Sequence, residues 1–241
     1  MIITMTVTMK NRLFRKAAAI LAASTICTVP FSVSAQDLDD DEASPIISPL
    51  AFDRINYDKA ADLENVWVLD LSNGQRVAIR LMPQWAPTHV ERIKTLTRQG
   101  FYDGVIFHRV IDGFMAQGGD PTGTGTGGSQ FDDLEAEFNP MPHVRGTVSM
   151  ARSTDEDSAN SQFFIVFYPR FSLDRRYTNF GRVIDNMAGV DTIVRGEPPQ
   201  APTRILQASL AADNKPVPTV APPQVQPDIT ADLLNAPLEG Q

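Results

Sequence analysis

The sequence predicts one mainly β domain over about residues 65–211, and three observations support this. Short apolar runs recur along that stretch with turn residues between them. Only one longer run has a clear helical periodicity. The 241-residue chain is 42% hydrophobic and 21% charged, which is typical of a globular protein. We therefore expect a packed core built chiefly from strands.

The first predicted element is a β-hairpin. Val66–Leu71 and Arg76–Leu81 are two apolar strands, and Asn73-Gly74 lies between them. Asn-Gly supplies the two positive-φ residues that a type I′ turn requires. The sheet is thus expected to begin with a tight two-stranded unit.

A helix is predicted next, over residues 88–99. Thr88 and Glu91 have the spacing of a capping box, and Gly100 is typical of the position just past a helix end. One apolar stripe runs along this segment and consists of Val90, Ile93 and Leu96. The stripe predicts that one face of the helix packs on the sheet.

Five further strands and a short helix complete the predicted domain. The strands cover residues 105–111, 146–151, 162–167, 180–184 and 203–210, and the helix covers residues 189–194. A glycine-rich loop follows the first of these strands, over residues 118–128. A polar loop joins the next two, over residues 152–161.

The N-terminal 35 residues have the pattern of a signal peptide. Residues 17–27 form an apolar run, and Val33-Ser34-Ala35 resembles a signal-peptidase site. The run follows a basic region of Lys10, Arg12, Arg15 and Lys16. An uncleaved anchor helix is the alternative, and a lipoprotein attached through Cys27 is disfavoured by the residues before it. We expect an exported, periplasmic protein that contacts the membrane only transiently through this segment.

Flexible arms are predicted on both sides of the domain. Residues 36–64 form an acidic leader, and residues 212–241 form a Pro-rich disordered tail. Without residues 1–35 the chain keeps 17 of its 21 basic residues and all 29 acidic ones, a net charge of −12. That charge disfavours binding to nucleic acid. Because Cys27 is the only cysteine, the mature chain is expected to lack disulfides and thiol chemistry.

Three familiar motifs are disfavoured by their context. Residues 123–128 match G-x-G-x-x-G, but no helix is predicted directly after them, so a dinucleotide site is not expected. Ser129 lacks the G-x-S-x-G elbow of a hydrolase nucleophile. The three histidines, His89, His108 and His143, have no metal-ligand spacing, so no metal is expected.

The most informative stretch covers residues 107–120. Period-two alternation places Phe107, Arg109 and Ile111 on one strand face. A cation among apolar neighbours needs a buried partner or a ligand. Arg109 alone would more often be a surface arginine, and only its occurrence together with the segments named next favours a ligand site.

This stretch, together with residues 161–165, Leu173-Asp174 and Phe180-Gly181, closely resembles the cyclophilin family of peptidyl-prolyl cis/trans isomerases. The resemblance covers about residues 66–210, and Met150-Ala151-Arg152 resembles bacterial members. It implies a closed eight-stranded antiparallel β-barrel capped by two α-helices, with the site on its outer face. It also implies a monomer that acts on proline-containing polypeptides without a cofactor.

The resemblance implies roles for twelve residues. Arg109 matches the catalytic arginine, and Gln117 matches the glutamine that steadies it. The pocket for the proline ring matches Phe114, Met115, Phe164 and Leu173. The remaining substrate-binding positions match Ile111, Ala151, Arg152, Ser153, Gln162 and Tyr177.

This sequence departs from the family pattern at three positions. Ser172 stands where a tryptophan is common, with Phe171 as its possible substitute, and this affects cyclosporin binding more than turnover. Tyr177 replaces a histidine, and Arg152 replaces an asparagine whose main chain makes the contact. The alternative function is a noncatalytic, chaperone-like binder of proline-containing segments.

Overall fold

The computed structural model describes residues 54–219, and the predicted signal peptide, most of the leader and most of the tail lie outside them. The strands are β1 Val66–Leu71, β2 Arg76–Leu81, β3 Arg109–Ile111, β4 Met115–Gly118, β5 Thr147–Met150, β6 Phe163–Val166, β7 Asn179–Asp185 and β8 Ile205–Leu210. The helices are α1 Pro87–Arg98 and α2 Met187–Asp191. Single 3₁₀ turns cover Leu63–Asn65, Phe171–Leu173 and Ala211–Asp213.

All eight strands belong to one antiparallel sheet in the order β3-β4-β6-β5-β7-β2-β1-β8. The prediction of a mainly β fold with eight antiparallel strands and two helices is confirmed. The expected closure was overstated, because the edge strands β3 and β8 form no ladder with each other. The chain before β3 instead meets the chain at β8, where Phe107 donates to the Thr203 carbonyl at 2.9 Å and Gly104 donates to the Ile205 carbonyl at 2.7 Å. The sheet is a curled half-barrel.

The β1–β2 hairpin forms as expected, but its turn differs from the prediction. Gly74 has φ +81°, whereas Asn73 is not among the positive-φ residues. Leu71 donates to the Gln75 carbonyl at 2.8 Å, and Gly74 donates to the Leu71 carbonyl at 2.9 Å. This is a three-residue loop with one left-handed glycine, so the type I′ turn was wrong.

Helix α1 begins without the expected capping box. Its N-cap is Ala86, which has no capping side chain, and Pro87 occupies the first turn. The free N–H groups of Thr88 and His89 donate to the carboxylate of Glu137, both at 3.1 Å. A carboxylate from a distant loop thus caps the N-terminus of the helix, a role that the sequence pattern predicted for Glu91.

The predicted strand over residues 105–111 is shorter than expected, and a strand was missed after it. Only residues 109–111 pair with β4, because residues 104–107 hydrogen-bond to residues 203–205 instead. The alternation therefore breaks at residue 108. Phe107 lies in the main core with Val110, and not on the face of Arg109 as predicted. The other predicted elements differ from the structure at their ends only.

The sheet separates two apolar clusters. The large cluster fills the concave side around edge-to-face rings of Trp67, Tyr102 and Phe163. The small cluster contains Met115, Phe164 and Val166, with Ile111, Phe114, Ala151, Leu173 and Tyr177 packed against it. Since Phe163 and Phe164 point to opposite faces of β6, one strand contributes to both clusters.

The end of the predicted leader lies against the sheet. Arg80 on β2 has a side chain that is 4% exposed. Its guanidinium donates to the main-chain carbonyls of Asn56, Asp58 and Asp62 at 3.1, 2.7 and 2.9 Å. These bonds fix the irregular segment 56–62 on the domain. Among residues 54–219, no helix has both the length and the hydropathy needed to cross a bilayer.

Candidate functional site

The candidate site is built on three adjacent strands. Arg109 on β3 pairs with Gln117 on β4, and Gln117 pairs with Phe164 on β6. Directly opposed residues on paired strands present their side chains on the same face. The strand register therefore brings a cation, an amide and an aromatic ring into one row, although they are far apart in sequence.

Two adjoining pockets lie over this row. The first has a volume of about 270 Å³ and is lined by Arg109, Phe114, Met115, Gln117, Ala151, Arg152, Phe164, Leu173 and Tyr177. The second has a volume of about 530 Å³, and Ser153 and Gln162 lie in its wall beside the glycine-rich loop. Ile111 lines neither pocket but packs in the apolar cluster beneath the first. The structure thus gathers all twelve candidate residues in one region.

Arg109 is the cation of the first pocket, and its side chain is 41% exposed. Its Nε donates to Oε2 of Glu197 at 2.7 Å. Gln117 was expected to steady this arginine, but its Nε2 donates to Oε1 of Gln162 at 2.9 Å instead. Within residues 54–219 the two terminal guanidinium nitrogens of Arg109 donate to no protein group, so their N–H groups are available to a ligand.

Glu197 is the site residue that the sequence analysis missed. It lies 88 residues after Arg109 and in no recognisable motif, between a glycine and two prolines. No local pattern could have placed it at β3.

The glycine-rich loop forms a wall of the second pocket and is organised by two side chains. Gln162 donates to the carbonyls of Gly125 and Gly127 at 3.0 and 2.8 Å. Asp120, which is 1% exposed, accepts several main-chain N–H groups of the same loop. Irregular chain follows the loop as far as β5, so no helix terminus meets it as a dinucleotide site would require.

A serine, a histidine and an aspartate meet behind the first pocket. His143 Nε2 lies 2.8 Å from Ser149 Oγ, and His143 Nδ1 lies 2.9 Å from Asp174 Oδ1. Both Ser149 and His143 are fully buried, so no acyl substrate reaches them. The imidazole stacks on Phe164 with centroids 6.3 Å apart. The trio therefore supports the pocket floor and does not form a hydrolase site.

Burial favours the neutral form of all three histidines. Burial lowers the pKa of His143, and the opposing effect of Asp174 is smaller. Burial likewise lowers the pKa of His89 against Glu137, and the pKa of His108 against Asp120. Among residues 54–219, no three potential ligands cluster as a metal would require.

Two of the three positions that depart from the family pattern, Arg152 and Tyr177, line the first pocket, and Ser172 lines neither pocket. The Arg152 guanidinium lies 4.8 Å from the centre of the Tyr177 ring and donates to the Arg176 carbonyl at 3.0 Å. Phe171 is 64% exposed and lines neither pocket, so it does not replace the missing tryptophan at Ser172.

Comparison with known proteins identifies the class. The sequence model described as "Cyclophilin type peptidyl-prolyl cis-trans isomerase/CLD" matches residues 68–210. Two solved structures share the fold: the cyclophilin AquaCyp293 from Hirschia baltica and a Cryptosporidium parvum cyclophilin solved in the presence of the dipeptide Ala-Pro. The first has a TM-score of 0.59 at 29% identity over 64% of this chain and 77% of that one. The second has a TM-score of 0.56 at 28% identity over 60% and 98%.

Curated relatives are more similar in sequence. A probable peptidyl-prolyl cis-trans isomerase from Brucella suis is 45% identical over 69% of this chain and 92% of its own length. Peptidyl-prolyl cis-trans isomerase B from Bacillus subtilis is 41% identical over 53% and 89%. The chain belongs to the cyclophilin-type peptidyl-prolyl cis–trans isomerase family. It is accordingly an isomerase of the peptide bond that precedes proline.

Proposed function

We propose that this protein accelerates X-Pro bond rotation in exported polypeptides as they fold, with Arg109 as the catalytic residue. One observation carries the proposal: the half-exposed Arg109 guanidinium lines the same 270 Å³ pocket as the apolar side chains of Phe114 and Met115. Export to the periplasm is supported by the signal-peptide pattern of residues 1–35.

Amide resonance is the obstacle that the site must overcome. Rotation about a peptide C–N bond costs roughly 18–20 kcal/mol. Unaided X-Pro exchange takes tens to hundreds of seconds. At the twisted midpoint the imide nitrogen loses conjugation and gains a usable lone pair, which the planar ground state does not offer.

Arg109 is suited to bind that twisted state. A terminal N–H of its guanidinium would donate to the imide nitrogen only when the bond is rotated, which is selective stabilisation of the transition state. A charge-assisted hydrogen bond contributes about 1.5–3 kcal/mol. That range corresponds to roughly ten- to a hundredfold in rate.

The apolar floor supplies the rest of the site. Met115 and Phe164 are 2% and 5% exposed, so they offer a dry surface to a pyrrolidine ring. The twisted amide is less dipolar than the planar one, so this apolar surface stabilises the twisted form more than water does. The ring is held while the preceding carbonyl turns. The Cryptosporidium parvum structure solved with Ala-Pro supports proline-containing polypeptides as the ligand class.

The mechanism uses no group that titrates near neutrality. Arginine stays charged throughout this range. Burial keeps the pKa of His143 below its ordinary value, which favours the neutral imidazole. We expect kcat/KM to be nearly flat between roughly pH 6 and 8. A bell-shaped profile would instead indicate a histidine in the chemistry.

The test is a proline-limited peptide assay on wild type, Arg109→Ala and the control Arg98→Ala, which removes an exposed arginine at the end of α1. We expect Arg109→Ala to lose roughly ten- to a hundredfold in kcat/KM, while calorimetric binding of the same peptide falls less. Equal turnover in wild type and Arg109→Ala would refute the role. Peptide binding by the wild type without acceleration would indicate the chaperone-like alternative.

A further inference from the structure

We infer that Glu197 is a positioning residue that holds Arg109 in the orientation needed for isomerisation, an inference that rests on the proposed catalytic role of Arg109. The two side chains are joined by the 2.7 Å hydrogen bond from Arg109 Nε to Glu197 Oε2. Glu197 does not line either pocket, so its effect must pass through the arginine.

The main chain fixes Glu197 beside β3. Gly196 donates to the Val110 carbonyl at 2.9 Å, and Val110 donates to the Gly196 carbonyl at 2.8 Å. Val110 is the neighbour of Arg109, and Gly196 is the neighbour of Glu197. This reciprocal pair of bonds holds the main chains of Arg109 and Glu197 side by side, so little conformational entropy is lost when the two side chains meet.

The bond to Glu197 uses Nε of Arg109 and leaves both terminal guanidinium nitrogens free for a ligand in the pocket. Arginine has five N–H donors, one on Nε and four on the terminal nitrogens. With Nε engaged, the plane of the group is fixed while the four terminal donors remain available. A free arginine side chain has many rotamers, and ordering it in advance lowers the cost of the bond formed in the transition state.

Within residues 54–219 the structure offers Arg109 no other side-chain partner. Gln117 lies opposite Arg109 in the sheet but donates to Gln162. Gln162 in turn is bound to the glycine-rich loop. The amides organise the second pocket, which leaves the orientation of the cation to Glu197.

Exposure limits the size of the effect. The Glu197 side chain is 50% exposed and that of Arg109 is 41% exposed. Exposed ion pairs of this kind change an equilibrium by at most about fivefold. We therefore expect Glu197→Ala to lower kcat by about two- to fivefold, with KM for an uncharged X-Pro peptide nearly unchanged.

The experiment compares Glu197→Ala and Glu197→Gln with Glu135→Gln, an exposed acid whose removal changes net charge equally. Glu197→Gln keeps an acceptor oxygen and should fall between wild type and Glu197→Ala. Salt supplies a second readout, because about 1 M salt shortens the Debye length to about 3 Å. The kcat of the wild type should fall toward that of Glu197→Ala in high salt, whereas Glu197→Ala should respond little.

Nitrogen-15 spectra of the arginine Nε–H groups report the contact directly. The Arg109 resonance should shift and exchange faster with water in Glu197→Ala, and it should stay in place in Glu135→Gln. Three outcomes would overturn the inference, provided that Arg109→Ala still loses activity. They are a kcat of Glu197→Ala equal to that of Glu135→Gln, an increase in kcat, and a change in KM alone. Loss of the Arg109 effect itself would overturn the proposed function.

Discussion

Asp120→Asn should destabilise the domain through the glycine-rich loop. The Asp120 carboxylate accepts N–H groups of Thr122, Thr124, Gly125 and Gly127 at 2.7, 3.1, 2.6 and 3.1 Å. It also accepts the Thr122 hydroxyl at 2.8 Å. One oxygen receives two of these bonds and the other receives three. Because asparagine replaces one oxygen with a donor, at least two bonds are lost in either orientation of the amide.

Two routes give the size of the effect. Two lost hydrogen bonds to a charged group cost about 3 kcal/mol. Separately, burial raises the pKa of Asp120, but the hydrogen bonds from Thr122, Gly125 and Gly127 outweigh it and lower the pKa from 3.8 to about 2. That difference corresponds to about 2.4 kcal/mol. Since the folded pKa is the lower one, this stability is present above pH 3.8 and is lost as the pH falls toward 2.

The assay is urea unfolding of wild type, Asp120→Asn and the exposed control Asp132→Asn from pH 7 to pH 3. We expect Asp120→Asn to lose about 2–3 kcal/mol of unfolding free energy at pH 7, with the deficit shrinking below pH 4. KM for peptides that reach the second pocket should also rise. A deficit below about 0.5 kcal/mol, the range of ordinary surface substitutions, or one that stays constant down to pH 3, would refute the reasoning.

Three other substitutions or conditions test separate parts of the molecule. Burial lowers the pKa of His89 and His143, so below about pH 6.5 the unfolded chain binds more protons than the folded one. The unfolding free energy should therefore fall as the pH drops below about 6.5, by at most about 1.4 kcal/mol per pH unit for each histidine. Equal urea midpoints at pH 7 and pH 5 would contradict this. Phe164→Leu should cost about 1 kcal/mol of stability and raise the Kd for proline peptides in calorimetry, and an unchanged Kd would exclude this ring from the binding surface. Gly119→Ala places a Cβ 2.4 Å from the Ser161 carbonyl at φ +87° and should destabilise by about 2 kcal/mol or more, which a Tm equal to that of wild type would disprove.

The fold was predictable where local pattern and long-range pairing agree. The β1–β2 strands were found because alternation, turn residues and pairing all involve neighbours in sequence. The strand predicted over residues 105–111 was too long because half of that run pairs with residues 203–205. No local periodicity in the sequence reveals this pairing. The missed strand Met115–Gly118 is short and contains no β-branched or aromatic residue, so no strand pattern marks it in the sequence.

The candidate site was likewise predictable only where its residues lie in recognisable segments of the sequence. The segments that carry Arg109 and Phe164 were recognisable from residue order, and the sheet register then explains why they meet. Glu197 and Glu137 act across 88 and 48 residues, and each has an ordinary sequence context. Their roles follow from the way loops fold back onto β3 and α1. That is tertiary information, which a single sequence does not contain in readable form.

The bonds from Arg80 to the segment 56–62 have a practical consequence for where the chain is cut. A fragment that begins at Val66, the first residue of β1, would remove all three carbonyl acceptors together with the segment that lies on Arg80, so the guanidinium would exchange three protein hydrogen bonds for bonds to water. A fragment that begins at Arg54 keeps them. The fragment that begins at Arg54 should therefore be the more stable of two fragments that share the whole sheet, both helices and the whole candidate site.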